Sequence, residues 1–228
     1  MHVPIPIRGV LALPFKLAGV RISRMNPNLC TLCETKFRSV KKAQQVTVPA
    51  TVLFADVRGY TSLSEEANAS DVTTMLGEFY DHCSAAVWER DGIVNKLIGD
   101  AIFAIFNFPI RRSDHVQQAV LSGIELQRRC RAMKTAMAGG ADVPVGVGVG
   151  VHTGDVTIGE IGTTIKDFTA IGEVVNLAAR LQGASLPGEV VVTEGVYRQV
   201  ARDFPGAERR ECTLKGIARP VTAYVLRG

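Results

Sequence analysis

Several absences narrow what this chain can be. The apolar stretch Gly9 to Val20 is broken by Pro14 and Lys16 and falls short of the ~20 residues that span a bilayer as a helix. No small-residue cleavage pattern accompanies it, so a signal peptide is not expected. Five cysteines are an odd count, and Cys30, Cys33, Cys83, Cys130 and Cys212 are scattered apart from the first two. That excludes a secreted disulfide framework and predicts a reducing, cytoplasmic setting. Repeats and low-complexity tracts are missing as well. With 46% hydrophobic and 21% charged residues and a net charge of only +4, the composition excludes collagenous and disordered chains.

The small net charge conceals a division. Residues 1 to 48 hold eight basic side chains against one acid, Glu34, a surplus of +7, whereas the other 18 basic and 21 acidic residues leave the remainder at −3. A basic nucleic-acid groove is therefore not indicated. The 228 residues suffice for one full domain with a short extension. We expect residues 1 to 47 to be a basic extension carrying Cys30-Thr31-Leu32-Cys33, and 48 to 228 to be the domain. Within the extension, Phe15, Ala18, Ile22 and Met25 recur at helical spacing opposite basic residues, which suits a helix of residues 1 to 25 lying on a membrane surface. A linker packing across a dimer fits equally. Lone C-x-x-C is half a zinc ribbon or a redox pair.

From Val46 the pattern becomes regular. Thr51 to Ala55 reads as a buried strand ending at Asp56, followed by a loop through Thr61. A helix over 70 to 90, capped at Ser70, would align Val72, Met75, Leu76, Phe79, Cys83 and Ala86. Strands Ile93 to Ile98 and Ala101 to Phe106, split only by Gly99-Asp100, form a hairpin. A helix from Asp114 to Met137 closed by Gly139-Gly140 follows. Then come a strand from Pro144 to Val151, a turn at Thr153-Gly154-Asp155, and strands 156 to 161 and 168 to 171. A helix over 173 to 182 and strands at 189 to 193 and 224 to 226 finish the chain. This order predicts an α+β fold with a ferredoxin-like βαββαβ core, an antiparallel-dominated sheet with flanking helices.

Two carboxylates stand out, because Asp56 ends the first strand and Asp100 tips the hairpin that lies beside it in such a core. They could bridge hard divalent cations of the kind that clamp displacement at phosphorus; alternatively each merely turns the chain. Gly146-Val147-Gly148-Val149-Gly150 has period 2 and precedes no helix, so it is not a dinucleotide fingerprint, and no Gly-Lys-Ser/Thr phosphate loop occurs. Gly59, Tyr60 and Thr61 could instead present backbone N–H groups to phosphate. Asn176 and Arg180 share a helix face at i, i+4, suited to an oxyanion or to plain solvation. Lys215 reads as either a ligand or a surface lysine.

Taken together, Leu53 to Glu65, Asn95 to Ala101, Val151 to Gly154, Ile171 to Leu181 and Leu214 to Gly216 resemble, in the same order, the catalytic domain of class III nucleotidyl cyclases. The resemblance implies that Asp56 and Asp100, with the Val57 carbonyl, hold two Mg2+ or Mn2+ ions per active site. It implies that Lys96 selects the purine, Asn176 and Arg180 stabilise the transition state, and Lys215 binds the triphosphate. Guanylyl cyclases usually carry Glu at the Lys96 position, so the implied reaction is that of an adenylyl cyclase, ATP to cyclic AMP and pyrophosphate. Thr169 stands where many adenylyl cyclases have Asp. A hydroxyl donates as well as accepts, which leaves a guanylyl or dual-specificity cyclase as the alternative, and this Thr is found in a subgroup associated with bicarbonate regulation. The family builds its sites between two antiparallel protomers, which implies a homodimer. A non-catalytic nucleotide-sensing or partner-binding module is the remaining alternative. A related diguanylate cyclase is disfavoured because residues 98 to 102 lack its Gly-Gly-Asp/Glu-Glu-Phe hairpin. The implied location is cytoplasmic, with the extension peripheral at the inner membrane surface.

Overall fold

The structure, a computed structural model, describes residues 13–23, 25–40, 45–136, 142–164 and 167–228. In chain order its elements are α1 (Leu13–Leu17), α2 (Thr31–Val40), β1 (Val46–Val57), α3 (Tyr60–Glu66), α4 (Ala69–Trp88), β2 (Ile93–Ile98), β3 (Ala101–Phe106) and α5 (His115–Cys130). They continue with β4 (Lys134–Ala136), β5 (Asp142–Pro144), β6 (Val147–Ile161), β7 (Asp167–Ile171), α6 (Glu173–Ala184), β8 (Val190–Thr193), α7 (Glu194–Val200), β9 (Glu208–Cys212) and β10 (Val221–Leu226).

The main sheet runs β2-β3-β1-β6-β8-β10-β9, with β7 pairing the far end of β6. Its pairs are antiparallel except β6 with β8. The sub-order β2-β3-β1-β6 with α4 and α5 as crossovers is the expected ferredoxin-like βαββαβ core. Leu53, Ala55 and Val57 on one face of β1 join Val147, Val149 and Val151 of β6 against Phe79, Cys83, Val120 and Leu126 of α4 and α5. Alternate residues Ala50 and Val52 face Val174 and Ala178 of α6, as period-2 side-chain alternation requires. Gly148, Gly150 and Gly154 of β6 lie on this second face. A Cβ at Gly150 would lie 2.2 Å from Gln182 N and 2.4 Å from Ala178 O, so α6 rests directly on bare backbone.

The structure departs from the sequence expectations in several places. Gly59 (φ 71°) turns the chain in the left-handed region, so a helix already begins at Tyr60 where a loop was expected. Helix α4 starts after Asn68, not at Ser70. The helix expected to reach Met137 stops at Cys130, where Met133 N–H bonds back to Cys130 O at 3.0 Å, a tightened turn. Residues 134–136 then pair with 142–144, and the predicted Gly139-Gly140 terminus lies outside the described residues. The turn predicted at Thr153-Gly154-Asp155 is absent, because these residues pair with Thr51, Ala50 and Pro49 and β6 runs through unbroken. The predicted helical stripe from Phe15 to Met25 ends at Leu17: Ile22 bridges Cys30, and Met25 is buried in the core beside α6's face of the sheet. Residues 1 to 12 lie outside the described residues. No described helix is long and apolar enough to cross a membrane.

Candidate active site

Asp56 and Asp100 meet at one end of the sheet. Asp56 pairs in register with Ala101 across β1 and β3, and Val57 N–H donates to the Asp100 carbonyl at 3.2 Å. The hairpin tip is held from α4 by the Tyr80 hydroxyl, which donates to Gly99 O. Burial pushes the Asp56 carboxyl up to about 6, and the neighbouring Asp100 charge pushes the same way. Arg58 opposes both: its guanidinium pairs with Asp56 Oδ1 and reaches Gly183 O and Ser185 O at 3.4 Å each. Arg58 Nε is buried with no hydrogen-bond partner. Two close carboxylates and adjacent carbonyls are hard oxygen donors, the set that Mg2+ or Mn2+ takes. Their mutual repulsion, now offset by one guanidinium, is what a dication would relieve.

A second group lies on β2 and β7. Thr169, which pairs with Gly159 on β6, donates its hydroxyl to Asn95 Oδ1 at 3.2 Å, and Asn95 Nδ2 donates to Phe168 O at 3.2 Å. The register of β2 against β3 shifts between Val94 and Lys96, and this irregularity directs Asn95 toward β7. Lys96 pairs with Asp167, two residues before Thr169. Their side chains are 28% and 54% exposed, so the pair contributes at most about 1 kcal/mol and releases the lysine to a ligand at small cost.

The third group sits on α6. Asn176 is exposed in its first turns, and Arg180 lies across the turn that follows Lys215, since a Cβ at Gly216 would stand 3.3 Å from Arg180 Nη2. Gln182, on the same helix, is buried against β6 at Gly150, beside the strand position that pairs with Phe54, and its Nε2 has no hydrogen-bond partner. At 100° per residue Arg180 projects about 200° around the helix from Gln182. Arg180 therefore points away from the carboxylate pair of its own chain.

The structure thus gathers Asp56 with Asp100 and Val57, Lys96 with Thr169, and Arg180 with Lys215, while Gly59, Tyr60 and Thr61 open α3 beside Asp56. Among the described residues no hydrogen bond or ion pair joins one of these groups to another. Arg58, Asn95, Asp167, Tyr80 and Gln182 were not singled out from the sequence. Asp167 was findable, two strand positions from Thr169 and so on the same face, whereas Arg58 lies in the turn after β1.

An α+β domain with this sheet order and a carboxylate pair at the end of its first strand is the architecture of a nucleotidyl cyclase catalytic domain. The chain belongs to that family: residues 41–228 match the model of the adenylate and guanylate cyclase catalytic domain. It is 33% identical over 161 residues to an adenylate cyclase of Anabaena cylindrica, covering 66% of this chain and 30% of that protein. It is 31% identical over 156 residues to adenylate cyclase 1 of Rhizobium meliloti strain 1021, covering 68% and 24%. The crystal structure of the guanylyl cyclase Cya2 superposes with a TM-score of 0.72 at 26% identity, covering 79% of this chain and 92% of that one. The matched region spans only a quarter to a third of the two curated relatives.

Proposed function

We propose that this domain is an adenylyl cyclase that converts ATP to 3′,5′-cyclic AMP and pyrophosphate at sites shared by two copies of the chain. The observation that carries the reading is the geometry of α6. Its buried face serves the Asp56 site of its own chain, while Arg180 and Asn176 face outward, so a second chain must supply them to that site. In this reading Asp56, Asp100 and the Val57 carbonyl hold two Mg2+ or Mn2+ ions, which would lower the pKa of the ribose 3′-hydroxyl and neutralise the leaving pyrophosphate. Lys96 donates to adenine N1, an acceptor where guanine carries N–H, and the Thr169 hydroxyl accepts from the 6-amino group. Arg180 stabilises charge on the α-phosphate, Asn176 orients the ribose, and Lys215 holds the triphosphate. Gly59 to Thr61 border the phosphates.

Thr169 supports a second reading. Because its hydroxyl also donates, guanine O6 is a tolerable partner, and the likeness to a guanylyl cyclase structure agrees with dual specificity. The test is turnover of ATP and of GTP with Mn2+ across protein concentration. We expect ATP to be favoured at least about tenfold, about 1.4 kcal/mol of discrimination. Equal rates would establish the dual reading, and no cyclic nucleotide from either substrate would end both.

A further inference from the structure

Cys30 and Cys33 take no part in the site, yet they stand at the base of a loop that reaches it. Ile22 bridges Cys30, Thr31 N–H donates to Arg21 O at 2.8 Å, and Arg21 N–H donates to Thr31 Oγ1 at 3.0 Å. The far end of this loop docks on the catalytic domain. Met25 O accepts from Trp88 Nε1 at 2.7 Å and from Val94 N–H at 3.1 Å, and Asn26 Nδ2 donates to Gly92 O at 2.7 Å. Val94 immediately precedes Asn95 and Lys96, where the register of β2 shifts. The loop therefore pins the strand that carries the base-reading residues.

The two cysteines are set for each other. Cys33 follows Cys30 by one turn at the start of the ten-residue α2, which places both on one face. Their sulfurs are 3.4 Å apart and Cys33 N–H donates to Cys30 Sγ at 3.4 Å. Cys30 is buried and Cys33 exposed. A disulfide bond is ~2.05 Å long, so closure needs an approach of about 1.3 Å, within reach of a side-chain rotation. A zinc site would need four ligands, and among the described residues no cluster of three or more His, Cys, Asp or Glu gathers anywhere.

We propose that Cys30 and Cys33 form a reversible dithiol–disulfide site, oxidised by exchange with a low-molecular-weight disulfide, whose state is passed through residues 25 to 31 to β2. The Cys33 thiolate attacks one sulfur of the incoming disulfide and expels the first thiolate. Cys30 then attacks the Cys33 sulfur of the mixed disulfide and expels the second. The two cysteine protons leave on the two released thiols, so one disulfide is reduced as one forms.

The chain's single tryptophan is Trp88, bonded to the loop, so it reports the coupling without any nucleotide. The full chain would be equilibrated with oxidised and reduced glutathione, alkylated, and mapped by mass spectrometry. Trp88 emission and hydrogen exchange at Val94 would be read in parallel. We expect both sites to lose alkylation together, Trp88 emission to shift, Val94 exchange to quicken on the order of tenfold, and dithiothreitol to reverse all three. Cys33→Ser should abolish the response while keeping the reduced spectrum. A glutathione adduct that stays on Cys33, stoichiometric zinc in the purified protein, or a disulfide that leaves Trp88 and Val94 unchanged would each overturn the proposal. None of these outcomes bears on the cyclase reading.

Discussion

Asp56 is a residue whose environment works against its own charge. Burial raises its carboxyl to about 6 and only Arg58 pulls the other way with any strength. An acid with a raised folded-state pKa stabilises the fold while it is protonated, below its ordinary value near 3.8, and that contribution is lost as pH rises through about 6. In the cation-free protein, subtracting the stability of Asp56→Asn from wild type should therefore give a difference that falls between about pH 4 and 6 and is flat above. Mn2+ at pH 7.5 should stabilise wild type and leave Asp56→Asn unmoved, as ligand linkage requires. Thermal unfolding across pH, with and without Mn2+, checks both. A wild type indifferent to Mn2+ would remove the carboxylate pair as a cation site.

Among the elements, α6 and the β8-β9-β10 corner show how tightly positions are fixed. At Gly150 an added methyl meets helix backbone on two sides, so Gly150→Ala should displace α6 and cost about 2 to 3 kcal/mol. Gly183→Ala, into open space, should be neutral or slightly stabilising. At the corner, the Glu189 side chain is 3% exposed and is held by Arg210 from β9 and by Arg227 after β10. Arg210→Ala should cost about 3 kcal/mol by leaving that buried carboxylate underpaired. Urea unfolding measures each of these, and a midpoint unchanged from wild type in Gly150→Ala or Arg210→Ala would contradict the packing described.

What the sequence disclosed at this level was whatever local patterning decides. The β2-β3 hairpin, the α4 stripe and the start of α6 were legible because Gly99-Asp100 and the 3.6-residue period act within a few residues. The uninterrupted β6 was not, since Thr153-Gly154-Asp155 has turn composition and only pairing with β1 keeps it extended. Strand β9, reading Glu208-Arg209-Arg210-Glu211-Cys212, has no apolar alternation to betray it. It lies at the sheet edge, where charge is protective. In the site, Asp56 and Asp100 were legible from turn geometry, but their partner Arg58 was hidden among motif residues, and the Asn95 to Thr169 bond depends on a register shift no local pattern announces.

For the whole molecule, the proposed sharing of sites between two chains would make assembly a condition of turnover. Specific activity should fall on dilution. Asp56→Asn and Arg180→Ala chains should each be nearly inactive alone, yet an equal mixture should recover about a quarter of wild-type activity, since half the dimers are mixed and each mixed dimer keeps one intact site of two. Recovery absent at any mixing ratio, with both variants folded, would place the whole site within one chain. The unbroken β6 sets a further limit of a different kind. Because Val147, Val149 and Val151 face α4 and α5 while Gly148, Gly150 and Gly154 face α6 and its C-terminal end, deleting one residue in this part of the strand would exchange the two surfaces beyond that point. Valines would then lie under a helix that tolerates only glycine. Changes of length during the history of such a domain are thus confined to its connections, while this strand can change letters but not its count.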